Sequence, residues 1–213
     1  IGGALGGLIG GLTGAAVGAL NSWSESVNET TRIAGLFGKS LLDQAQALAE
    51  TAVANRDFTQ SLSDIDIEEN LTPEERIGRR LESQQQITPF NAKASADATN
   101  QLQRLSKEIG KPIAQLTKED FKDAPILAAL FETATQTMSR AQDGLSRAVS
   151  ESRKTLQEAA SQELTGELSF DEIIASGGQF AQALASSQAA IKAEADARIA
   201  VLRAQRATAG SDE

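Results

Sequence analysis

The sequence has no cysteine, no histidine and no tyrosine, and it has only one tryptophan and one methionine. Without histidine there is no Ser-His-Asp or Cys-His nucleophile system and no imidazole general base. Without cysteine and histidine together, the ordinary zinc sites are excluded as well. Carboxylates are the remaining class of catalytic group, and on polar helices they serve as solvated faces. No catalytic residue, no cofactor and no bound metal are therefore expected, and the chain is read as a non-enzyme. Aromatic residues make up only 4% of the chain, so the large pieces that fill a globular core are scarce. Alanine-rich helices gain little alone, at about 25 cal/mol per Å² of buried apolar surface. They recover stability by packing side by side, often between subunits. Positive charge is also in deficit: the formal net charge is −9. Affinity for phosphate backbones needs clustered Lys and Arg, so general nucleic-acid binding is not expected. An acidic wall remains compatible with DNA passing by as cargo.

What the chain does have begins at its first residue. Residues 1–20, IGGALGGLIGGLTGAAVGAL, carry no charge. As a helix they would span about 30 Å, the thickness of a hydrocarbon core. Gly2, Gly6, Gly10, Gly14 and Gly18 repeat every four residues, and Gly3, Gly7 and Gly11 form a second row. Positions four apart share a helix face, so the segment carries a smooth groove where another backbone can approach closely. So many glycines would each cost about 1 kcal/mol relative to Ala in water, so neighbours, protein or lipid, must hold the segment. Trp23, just past the apolar run, suits a membrane–water interface.

The rest of the chain has helical periodicity and no strand alternation. Residues 1–23 are read as the glycine-zipper helix, 24–55 as an amphipathic helix, 56–71 as an acidic linker and 72–213 as a helical body with long C-terminal helices. Thr72-Pro73-Glu74-Glu75 is a capping-box start. Thr88-Pro89 is expected to stop that helix, and Gly110-Lys111-Pro112 to end the next. Thr117 to Asp120 repeats the capping pattern. A long helix is expected from about Pro125 to Gln162, a short one capped by Ser169 and Glu172 that ends near Gly177, and a last one from Gln179 to Ala207. Phe180, Leu184, Ile191, Ile199 and Leu202 make a narrow stripe on the last helix, suited to coiled-coil-like partners and read as an oligomer stripe. The fold class is therefore all-α: a zipper helix followed by long amphipathic helices in an extended, oligomeric assembly.

Two near-motifs are set aside. Gly38-Lys39-Ser40 has the ending of a phosphate-binding loop, but Ile33 stands where the loop needs glycine and no strand precedes it. Asp64, Asp66, Glu68 and Glu75 fall at calcium-loop positions, but Glu69 replaces the glycine of the sharp turn and Pro73 intrudes. The basic sets around Arg76, Arg79 and Arg80, around Arg147, Arg153 and Lys154, and around Arg198, Arg203 and Arg206 read as solvated helix faces. The last of these is also placed to touch anionic lipid or a partner.

A glycine-rich apolar terminus joined to long, cysteine-free helices such as QFAQALASSQAAIKAEADARIAVLRAQR resembles phage ejection proteins. These are the internal virion proteins of short-tailed phages and the DNA-pilot proteins of small icosahedral phages. The resemblance is one of architecture and composition. It implies a protein packaged in the virion beside portal or other ejection proteins, released at infection, and oligomerised into a conduit across the host envelope. Membrane lipid would then be a partner and DNA only passing cargo. Two other readings stay open: a purely structural component of a phage tail, portal-associated core or secretion assembly, and a bacterial helical pore-forming or translocator protein.

Overall fold

The computed structural model describes residues 29–163, 174 and 177–209. Gly2, Gly6, Gly10, Gly14, Gly18 and Trp23, and most of the short helix expected before Gly177, lie outside the described residues. The described chain is all-α. Its helices are α1 (Glu29–Ile67), α2 (Pro73–Ile109), α3 (Pro125–Glu163) and α4 (Gln179–Ala209), with two 3₁₀ turns, Ile113–Gln115 and Lys118–Phe121, between α2 and α3. No strand occurs among the described residues. The helices pack as a four-helix bundle divided into two compact units, and every helix gives a segment to each unit.

Two expected breaks are continuous helix. Of the acidic linker expected over 56–71, residues 56–67 are instead the last part of α1, which runs to Ile67, and only 68–71 lie in the connection to α2. Phe58, Leu62 and Ile65 are buried, and their spacing is helical. Ile67, at the end of the helix, is 71% exposed and belongs to no core. Pro89, expected to stop a helix, lies inside α2. An interior proline lacks a donor and costs about 3 kcal/mol. Burial of Ile87, Thr88 and Asn91 on either side holds the helix through it.

The expected start and stop at the ends of α2 are present. The Glu75 backbone N–H donates to Thr72 Oγ1 at 3.2 Å, and the Thr72 N–H donates to Glu75 Oε2 at 2.9 Å. At the other end Gly110 takes φ +72°, a conformation that favours glycine. The N–H groups of Gly110 and Lys111 both donate to the Ser106 carbonyl, which closes the helix.

One unit comprises residues up to 52, 94–140 and from 199 onward. Phe37 and Leu41 of α1, Leu102 and Leu105 of α2, and Ile126, Leu127 and Leu130 of α3 form its core. Phe121, from the second 3₁₀ turn, plugs that core and stacks on Phe131 with ring centres 5.2 Å apart. The loop holding it is fixed by the Lys111–Asp120 ion pair and by the Thr117 N–H, which donates to the Asp120 carboxylate at 2.8 Å.

The other unit comprises 53–93 and 141–198. It has two small apolar clusters: Phe58, Leu62, Ile87 and Ala148, and Ile77, Leu81, Ala159, Phe180 and Ala183. Polar ties fill the gaps. Asn91 Nδ2 donates to Asn55 Oδ1 at 2.8 Å, joining α2 to α1. Gln84 Nε2 donates to Thr155 Oγ1 at 2.8 Å and Gln84 Oε1 accepts from Ser186 at 3.2 Å, joining α2 to α3 and α4.

Several buried hydroxyls are satisfied within their own helix. Thr51, Thr99, Thr137 and Thr155 each donate to the carbonyl four residues back, at 2.6 to 2.9 Å. A threonine bonded in this way presents its methyl group to the core.

Candidate assembly surfaces

Helix α4 has two unlike faces. Phe180, Ala183, Ser187, Ala190, Ala197 and Ala204 are buried, and Glu194 and Val201 are half-buried. These positions recur at alternating three- and four-residue steps, the knobs-into-holes spacing. Glu194 is tolerated on that face because Ser146 Oγ donates to it at 2.6 Å and Arg198 Nη2 at 2.7 Å. The helix thus packs inward through small side chains.

The residues expected to form an oligomer stripe divide between these faces. Phe180 is internal, packed with Ile77, Leu81, Ala159 and Ala183, and is not an intermolecular contact in this fold. Leu184 is half-buried. Ile191 and Ile199 are 43% exposed and Leu202 is 54% exposed. Lys192, Ala195, Ile199, Leu202 and Arg206 follow the same three-and-four spacing on the outer side, all exposed, with Arg203 beside them. A stripe drawn through large residues alone therefore crosses from one face to the other. Most of the inward face is invisible to such a reading because, Phe180, Glu194 and Val201 apart, it consists of alanine and serine.

A second surface lies between α1 and α2. Ala54, Phe58, Ile87 and Phe90 line a groove of roughly 400 Å³, with Asp57, Ser61, Ser83 and Gln86 at its rim. It continues past Asp64, Ile65, Arg79 and Glu82. Ser61 Oγ and Ser83 Oγ meet across it at 3.0 Å. Asp57 is paired with Arg56 and Glu68 with Arg79. Among the described residues no Lys or Arg pairs with Asp64 or Glu82; Asp64 accepts from the neutral Gln60 amide at 2.7 Å. The mouth is therefore apolar inside and acidic along its edge. The sequence pattern does not reveal this groove, because its α1 side falls in the stretch 56–71 that reads as linker.

Beside the groove, Arg80 is buried while Asp66 and Glu158 hold it from α1 and α3. Burial opposes the charge, but the hydrogen bonds that Arg80 donates to Asp66 and Glu158 outweigh it and hold the guanidinium above its ordinary pKa. The Glu75 carboxyl is held below its ordinary value by the hydrogen bond from the Thr72 backbone. The Asp120 carboxyl is likewise lowered by the hydrogen bond from Lys111 and by that from the Thr117 backbone.

Asp66 and Glu68 are committed to arginines and Glu75 to a helix cap, and no group of three or more metal-ligating side chains converges among the described residues. Gly38, Lys39 and Ser40 lie within α1. No described helix is long and apolar enough to cross a membrane. The chain matches no protein-family model, no curated protein and no solved structure.

Proposed function

We propose that the chain is a virion structural and ejection protein. It oligomerises through its helices and helps to form a conduit for DNA across the host envelope, with residues 1–20 packing in the bilayer. It acts without catalysis or cofactor. The observation that carries the assembly part is the inversion on α4, where alanines face inward and Ile199 and Leu202 face solvent. Large apolar residues at coiled-coil spacing on an outer face suit another protein surface. The membrane part rests on the uncharged four-residue glycine repeat and on Trp23. The net charge of −9 suits DNA as passing cargo.

A second reading is a purely structural component of a tail, portal-associated core or secretion assembly. It rests on the same exposed Ile199 and Leu202 of α4 and needs no contact with lipid. A bacterial pore-forming or translocator protein would share the mechanism of the first reading. Liposome flotation of the full chain against a deletion of residues 1–20 separates them. Lipid binding that disappears with the deletion supports the ejection reading, and failure of the full chain to bind or permeabilise liposomes at any pH or salt refutes it. Replacing Gly6, Gly10 and Gly14 by Leu fills the groove while keeping the segment apolar. Lipid binding should survive and assembly should fail; unimpaired assembly would defeat the packing argument.

A further inference from the structure

We propose that the outer ridge of α4 in one copy docks into the α1–α2 groove of a second copy, a head-to-tail contact that repeats around a ring or along a tube. This rests on the oligomeric reading above and names its interface. The two surfaces are complementary in shape and charge. Ile199 and Leu202 project from the ridge, and Arg203 and Arg206 lie one turn on, at the i+3, i+4 and i+7 positions of one helix face. The groove offers an apolar slot between Phe58 and Phe90, edged by Asp64 and Glu82, which no Lys or Arg of the described chain neutralises.

The occupant is a second copy because ridge and groove are different patches. Had two ridges paired in parallel, Arg203 and Arg206 would face their own counterparts, and in an antiparallel pair centred on Ile199 Arg206 would face Lys192; like charges placed opposite each other repel. A patch that pairs with a different patch gives a heterologous contact, which closes into rings or continues as an open helical array. An acidic groove edge receiving a basic ridge also makes assembly weaken as salt rises, because these charges stay near solvent.

Two charge-reversal variants of the full chain test the contact by sedimentation velocity. In the ridge variant Arg203→Glu is combined with Arg206→Glu. In the groove variant Asp64→Lys is combined with Glu82→Lys. Each should weaken self-association by about tenfold or more at low salt while helix content and thermal midpoint stay at wild-type values. Mixed in equal amounts they should assemble again, in alternation, because each variant's ridge then meets a groove of opposite charge. The mixture also shows that neither variant has simply misfolded. A groove variant that self-associates like wild type overturns the proposal and indicates ridge-to-ridge pairing. Two dissociated variants that do not recover on mixing overturn it as well. Wild-type chain that stays monomeric at every salt and concentration defeats the oligomeric reading itself, whereas a wild-type oligomer unaffected by either variant defeats only this interface.

Discussion

Gly144 lies inside α3, where glycine is usually a poor choice, and replacing it with alanine is the sharpest test of the internal packing. In a free helix position Gly→Ala gains about 1 kcal/mol. Here a Cβ would overlap Asn55 Oδ1 and Asn91 Nδ2 and lie 2.8 Å from Asn91 Cγ. Those amides form the hydrogen bond that ties α1 to α2, and Asn91 is wholly buried, so its amide has no solvent to turn toward. Parting them leaves buried polar groups unpaired, at about 1–3 kcal/mol, and pushing them aside overpacks the core by about 1–3 kcal/mol more. Set against the helix-propensity gain, the net effect is a destabilisation of about 2 kcal/mol or more. In a chain of this size each kcal/mol moves the thermal midpoint by about 2–4 °C, so a fall of about 4–8 °C is expected by circular dichroism. Gly78→Ala is the control. It is also mid-helix, but its Cβ would meet nothing within 4 Å, and it should raise the midpoint. In a background carrying Asn55→Ala and Asn91→Ala, the Gly144 substitution should stop being harmful. A midpoint at or above wild type for Gly144→Ala alone would refute the reasoning.

Other consequences follow from the same contacts. Arg80→Ala removes the one cation shared by Asp66 and Glu158; because both acids are partly solvated, the loss in urea unfolding should be about 2 kcal/mol, below the 3–5 of a fully buried pair, and an unchanged midpoint would discount the tie. Ala190→Leu on the inner face of α4 should destabilise by about 1–3 kcal/mol through overpacking, whereas Ala195→Leu on the outer face should stay within about 0.5 kcal/mol; equal effects would contradict the assignment of faces. Glu75 and Asp120 have lowered carboxyl pKa values in the folded state, so each contributes stability above its ordinary value of 4.5 or 3.8 and loses it as pH falls through the lower folded value. The midpoint should therefore drop on acidification through that range, and Glu75→Gln should blunt the drop; an identical pH profile would sink the capping account.

Local chemistry was legible where one residue type decides the backbone. Thr72 with Glu75, Gly110 with Pro112, and Pro125 mark real helix ends, because caps, positive φ and proline act over a few residues without tertiary help. The run from Ile126 to Leu156 on α3 was legible for a similar reason: its apolar side chains recur at helical spacing, and each is buried or half-buried. What escaped was decided by neighbours distant in sequence. Pro89 looks like a stop until Asn91 is anchored on Asn55, and residues 56–67 look like linker until Phe58, Leu62 and Ile65 find Ile87 and the rest of their unit. The inner face of α4 escaped because hydrophobic patterning weights large residues. Ala183, Ser187, Ala190 and Ala197 contribute little to such a pattern, yet they set how closely the helix can pack. Gly2 to Gly18 and Trp23 carried most of the functional reading and lie outside the described residues, so the groove and the α4 ridge are the surfaces the structure itself contributes.

The division of labour between these residues bears on why the chain would assemble. Where Ala, Ser and Thr line the interior beside the Leu, Ile and Phe clusters, little apolar area is transferred from water, and directional contacts such as Asn55–Asn91, Gln84–Thr155 and the Arg80 tie add the specificity. Small inward residues also permit the close approach that makes Gly144 necessary. On the last helix Phe180 is buried, but Ile191, Ile199 and Leu202 are left where the fold itself gains least from them. Burying a whole Leu or Ile side chain is worth about 1.5–3 kcal/mol, and Ile199 and Leu202 remain about half exposed, so each holds roughly 1 kcal/mol in reserve. Against a folding stability of about 5–15 kcal/mol for an ordinary domain, two such residues per interface, with partner residues gaining in turn, form a meaningful fraction of the whole. A helix that leaves Ile199 and Leu202 outside gives up stability in the single chain, which the proposed association would recover. Ligation of the folded state by a second copy would then raise apparent stability with concentration, as linkage requires.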